Sequence, residues 1–195
     1  LTLGARYINE HRRSGFEASS PNSALAGVPL ALLADTAGAT VEAANSDDAW
    51  LPRAAINYQF NDNLTGYASW AKGRKSSLTV VTTTLDATFT PLPPVREVPA
   101  ETVSSFELGL KARWPQSDVT LDIAVFEQQY DNFQVDLINA TGQFIVTNAG
   151  SANNWGYELE LNWQAHNDIL LRASYAYIDA KIDNSVTNGA FAGLQ

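Results

Sequence analysis

Phe106-Glu107-Leu108-Gly109-Leu110-Lys111-Ala112-Arg113-Trp114 is the stretch that decides the fold. Phe106, Leu108, Leu110, Ala112 and Trp114 alternate with Glu107, Gly109, Lys111 and Arg113. A period of two puts each set on its own face of a β-strand. The apolar set opens and closes on an aromatic, and Trp50 with Tyr58, and Trp155 with Trp163, repeat its spacing. Eight residues at ~3.3 Å rise, tilted by about 40°, span roughly 20 Å along a barrel axis, close to the apolar band of an outer-membrane barrel.

Working outward, the same alternation marks segments 1–10, 50–60, 64–71, 119–125, 155–163 and 169–177, so seven antiparallel strands are predicted. Trp50, Tyr58, Phe60, Trp70, Phe106, Trp114, Trp155, Trp163, Tyr175 and Tyr177 fall on the apolar parity, as a lipid-facing aromatic girdle would. Arg53, Glu107, Lys111, Arg113, Asp122, Glu158, Glu160 and Arg172 all fall on the other, as in a polar lumen. A soluble β-sandwich also shows one apolar and one polar face, and it stays open as an alternative.

The connections argue for the membrane. Asn61-Asp62-Asn63, Pro115 to Asp118 and Ala165 to Asp168 are short and rich in turn formers. Long connections, about 11–49 and 72–101, alternate with them. In a meander this puts every short turn at one end and every long loop at the other, the outer-membrane pattern. From Val119 the strand-like sequence continues to Leu137, turns at Ala140-Thr141-Gly142-Gln143 and returns through Phe144-Ile145-Val146. That arm is about twice the ~10 residues that cross a bilayer. Near Glu127 its alternation blurs, as a bulge or the end of the lipid zone would make it. The loop 14–45 is rich in Ala, Gly and Ser, with a short helix expected around 30–35.

Composition closes other routes. No apolar run reaches the ~18 residues of a transmembrane helix. With no cysteine there is neither a disulfide framework nor a thiolate nucleophile. A net charge of −9 without a dense basic stripe argues against nucleic-acid binding. An open seven-stranded sheet in lipid would leave two bare edges of unsatisfied backbone, so further strands are expected on both sides.

The ordered segments resemble the TonB-dependent outer-membrane receptors. Pro99-Ala100-Glu101-Thr102 followed by Phe106-Glu107-Leu108-Gly109-Leu110-Lys111 is similar to one strand of that family. Tyr130-Asp131-Asn132-Phe133, Asn148-Ala149-Gly150-Ser151-Ala152, Gly156-Tyr157-Glu158-Leu159-Glu160-Leu161 and Ala173-Ser174-Tyr175-Ala176-Tyr177 follow in the family's order. Lys72-Gly73-Arg74-Lys75-Ser76 is similar to another stretch, with arginine in place of an aromatic. The resemblance implies an all-β, up-and-down transmembrane β-barrel segment, about seven strands of a 22-stranded barrel. Residues 1–195 would be a partial barrel domain without its plug. The implied function is an outer-membrane receptor that imports a nutrient such as a ferric siderophore, energised by the TonB complex through the missing plug. Outer-membrane lipid and lipopolysaccharide would be partners, and no nucleic acid. A passive porin-type channel and a soluble carbohydrate-binding sandwich are the alternatives.

No catalytic constellation and no cofactor motif stands out, and the protein is expected not to be an enzyme. His11-Arg12-Arg13 and Lys72, Arg74 and Lys75 gather five of the twelve Lys and Arg residues at the external rim by parity. They are the candidate ligand-binding residues, suited to an anionic chelate or to lipopolysaccharide phosphates, with solvated strand ends as the plainer reading. His11 and His166 fall at opposite ends and share no metal site. Glu158 and Glu160 are expected to form structural ion pairs with Lys111 and Arg113 rather than an acid–base pair.

Overall fold

A computed structural model describes residues 1–17, 40–81, 95–138 and 144–182. Its strands are β1 (Thr2–Phe16), β2 (Val41–Asn61), β3 (Leu64–Lys75), β4 (Leu78–Val81), β5 (Val95–Val98), β6 (Glu101–Trp114), β7 (Val119–Asp131), β8 (Gln134–Ile138), β9 (Phe144–Asn148), β10 (Ala152–His166) and β11 (Ile169–Ile182). Seven form one antiparallel sheet in the order β1-β2-β3-β6-β7-β10-β11, and β4–β5 and β8–β9 are two-stranded hairpins above it. The sheet does not close.

The sandwich alternative fails here. Among the described residues no second sheet covers the apolar face: Leu108 is 59% exposed, Leu110 46% and Leu159 37%. A single layer with two open faces has little to bury. The ladder supplies its cohesion, because every interior strand is paired on both sides and satisfies its backbone groups. Glycines on the polar face let aromatics lie flat across neighbouring strands. Tyr67 covers Gly109, its registered partner, and Phe126 covers Gly156 in the same way. A Cβ at Gly156 would come within 2.7 Å of the Phe126 ring.

The strands run farther than the alternation predicted. β1 reaches Phe16 and β2 starts at Val41, in unbroken register from Thr2 opposite Ala55 to Phe16 opposite Val41. The first external connection therefore begins after Phe16, not at residue 11, and the helix expected near 30–35 lies outside the described residues. The second connection is not a plain loop, since it contains β4 and β5. At the short end the turns follow the expected chemistry. The Asn61 side chain accepts from the Asn63 amide at 2.8 Å, and Asp118 has φ 48°.

Both external hairpins are in-register continuations of wall hairpins, each broken by a kink. Lys75 opposes Glu101 and Leu78 opposes Val98, so the count is kept across Ser76-Ser77 and Pro99-Ala100. Tyr130 opposes Ala152 and Gln134 opposes Asn148, kept across Asn132 and Gly150. Proline has no amide to give the ladder. Asn132 (φ 55°) and Gly150 (φ 86°) take the left-handed region that these two residue types tolerate. The arm expected from Val119 to Leu137 thus bends at Asn132. No bulge interrupts β7 near Glu127, whose pairing with β6 and β10 is continuous. Glu127 and Gln129 are simply polar residues on the same parity as Val125, so the apolar stretch ends there.

Candidate functional site

Two surfaces and one junction carry the functional geometry. On the apolar face the aromatics gather into two bands. In the upper one, Tyr7 packs at a tilt against Trp50 (ring centroids 5.0 Å), Trp70 lies near Phe106 (6.4 Å) and Trp155 near Tyr177 (5.6 Å). Tyr175 joins it through Tyr157 at 5.9 Å. In the lower band Tyr58 meets Phe60 edge-on at 4.9 Å, and Trp114 and Trp163 stand on one register row through Val119.

The upper band does not follow the hydrogen-bond rows. Trp70, Phe106 and Trp155 share one row, which starts at Leu3 opposite Ala54 and ends at Asp179. Tyr7 and Trp50 sit four residues above that row and Tyr177 two below it. The band therefore slips about six residues over six strand-to-strand steps. At ~3.3 Å per residue and ~4.8 Å per step, a level band requires strands tilted by roughly 35°. Transmembrane barrels tilt by about 35–45°.

The polar face is a shallow trough of about 340 Å³ lined by Tyr67, Lys111, Asp122, Glu158 and Glu160 among others. Tyr67 donates its hydroxyl to Glu107 Oε1 at 2.5 Å, and Lys111 Nζ lies 3.9 Å from Asp122 Oδ2. The expected pairing of Glu158 and Glu160 with Lys111 and Arg113 does not form. Lys111 is registered opposite Asp122, which takes it first. Glu158 faces Ala124 and Ala176, and Glu160 accepts from Asn162 at 3.1 Å.

The six basic candidates do not converge. His11 and Arg13 share the apolar-face parity, and His11 Nδ1 meets Ser46 Oγ at 2.8 Å. Lys72 also takes that parity, opposite Ser104, and Lys75 faces Glu101. Arg12 and Arg74 do come together, around Ser77. Arg12 donates to the Ser77 carbonyl at 3.0 Å and pairs with Glu10 at 3.2 Å. β2 and β3 stop pairing at Arg53–Ala71, and above that level Arg74 reaches Asp47 on the polar side of β2. Its side chain keeps 7% of its exposure, so its charge is spent inside the protein. The Arg74 hydrogen bond holds the Asp47 carboxyl below its ordinary range, against the opposing effect of burial. Ser76 and then the Arg12 charge do the same for Glu10.

Around Ser77 lies what sequence reading missed. Among the described residues only Ser77, Val98, Gln134 and Ala149, besides three glycines, are buried, and all four flank the two kinks. Asn45 donates to Ser77 Oγ and to Glu97, each at 3.0 Å, and Ser77 Oγ donates to Asp47 at 3.1 Å. Gln134 Nε2 donates to the Ser76 carbonyl at 3.0 Å and to the Pro99 carbonyl at 2.9 Å, while its amide donates to Glu101 Oε2 at 2.8 Å. Asn148 adds bonds to the carbonyls of Pro99 (3.3 Å) and Asn132 (2.6 Å). The available signals were Pro99, Gly150 and Asn132, which break strands. No periodicity reveals their partners.

A single-layer antiparallel sheet with short turns below, long hairpins above, banded aromatics on one face and charge on the other is a segment of an outer-membrane barrel. The family model of the TonB-dependent receptor-like β-barrel matches residues 1–195, and the chain belongs to that family. Its fold is similar to the ferric yersiniabactin uptake receptor FyuA from Yersinia pestis, at TM-score 0.69 and 20% identity, over 94% of this chain and 24% of that one. It is also similar to the siderophore receptor PiuA from Acinetobacter baumannii, at TM-score 0.58 and 20% identity, over 92% of this chain and 23% of that one. The chain thus spans about a quarter of the length of these receptors. Family membership places it in the bacterial outer membrane as a receptor barrel and not an enzyme.

Proposed function

We propose that this chain forms wall and outer mouth of a receptor that captures a ferric siderophore and imports it with energy delivered by the TonB complex. The observation that carries this reading is the two-faced single sheet, apolar and banded outside and charged inside, in a chain of the TonB-dependent family. Solved siderophore receptors of the same fold support the choice of ligand class. The apolar face meets lipid, with Trp50, Tyr58, Phe60, Trp70, Phe106, Trp114, Trp155, Trp163, Tyr175 and Tyr177 at its two interfaces. His11, Arg13 and Lys72 lie above the upper band on the outward parity, level with lipopolysaccharide phosphates, which they suit as partners. Arg12 and Lys75 remain at the inner rim as ligand contacts, whereas Arg74 serves through the shape of the mouth. Iron uptake by cells whose only siderophore receptor is the whole protein tests the proposal. Uptake should require both the receptor and a functional TonB, and uptake that persists without TonB would overturn active import in favour of a passive channel.

A further inference from the structure

We propose that the β4–β5 and β8–β9 hairpins are one mechanical unit, locked at their kinks by the Gln134 side chain, so that displacing either hairpin displaces the other. The carboxamide of Gln134 comes from the base of the second hairpin. It donates to Ser76 and Pro99, which flank the kink of the first on its two strands. Both acceptors are carbonyls, so the amide nitrogen must face them, and the flipped amide would set oxygen against oxygen. Gln134 is 5% exposed. Asn148 gives a second tie to Pro99, and Val98 (4% exposed) and Ala149 (2%) seal the same junction. The lock also reaches the wall. Ser77, next to Ser76, is held by Arg12 of β1 and by Asn45 and Asp47 of β2. The chain from β8 through Ser76-Ser77 to β1–β2 is therefore continuous, and it does not depend on which ligand enters the mouth. Coupling through such a junction needs elements that open together, and backbone amide exchange reads that directly.

Hydrogen exchange on the whole protein in detergent micelles tests the lock. Gln134→Glu keeps the size of the side chain and turns its donor into an acceptor. It should speed exchange on the order of ten- to a hundredfold in Leu78–Val81 and Val95–Val98, as well as in Gln134–Ile138 and Phe144–Asn148. Asn148→Ala, which removes the second tie to Pro99 together with the bond to Asn132 inside its own hairpin, should raise β4–β5 by less than Gln134→Glu does. Ile138→Ala, at an exposed position away from the junction, should leave β4–β5 unchanged. If Gln134→Glu loosens β8–β9 while β4–β5 stays within twofold of the parent, the hairpins are independent and the lock is rejected. Should Gln134→Glu fail to fold, Gln134→Met, which removes both donors without adding a charge, is read in its place.

Discussion

The wall and the double kink above it are made from the same strands, yet different forces hold them. Among the described residues of the wall below Arg74 only glycines are buried, and cohesion comes from an unbroken backbone ladder between two open faces. At the kinks the ladder is interrupted and a few side chains replace it: Gln134, Ser77, Asn148 and Asn45. The difference teaches where single residues matter. In the wall the class of residue on each face decides the outcome, whereas at the kinks its identity does.

The largest expected effect probes the wall. Leu110→Arg puts a charge in the middle of the apolar face and should cost about 2–4 kcal/mol in reversible unfolding from lipid vesicles. Gln129→Arg, on the same parity of the neighbouring strand but above the apolar stretch, should stay within about 0.5 kcal/mol. Equal costs at the two positions would remove the boundary drawn at Val125–Glu127. A middle-sized effect belongs to the kink. Gly150→Val forces a branched residue to φ 86° and should cost about 1–2 kcal/mol, read as local exchange in β8–β9 with β6 unaffected. The smallest is a pH response. Asp47 and Glu10 are depressed below ordinary values of 3.8 and 4.5 in the folded protein. What they add to stability is complete above those values and is lost as pH falls through the depressed ones. A spin label at Thr79 should keep constant mobility from pH 8 to 5 and loosen below about 4. Asp47→Asn should show the loosened signal already at neutral pH.

Much of the wall was legible because a strand with two different environments writes its faces into the sequence at period two. All seven wall strands, their order and the three short turns followed from that rule and from Asn, Asp and Pro at the turns. Strand ends were not legible. Beyond Tyr7 and Trp50 both faces of β1 and β2 carry polar residues, so the alternation fades although pairing continues to Phe16–Val41. The ion pairs failed for a related reason: parity says which face Glu158 occupies, while register decides that Asp122, not Glu158, stands beside Lys111. Arg74 was misread as free charge because its partner Asp47 lies 27 residues away, on another strand. The Gln134 junction joins segments 35 and 58 residues apart in sequence, and nothing local announces it.

The slope of the aromatic bands has a corollary for how charge is laid out on the polar face. Rows of paired residues run at right angles to the strands, so in a wall leaning by roughly 35° they climb by the same angle. Lys111, Asp122 and Glu160 share one such row, and Arg113, Thr120, Asn162 and Arg172 share another. The charge on the polar face therefore follows the thread of a screw, not rings stacked at fixed depths.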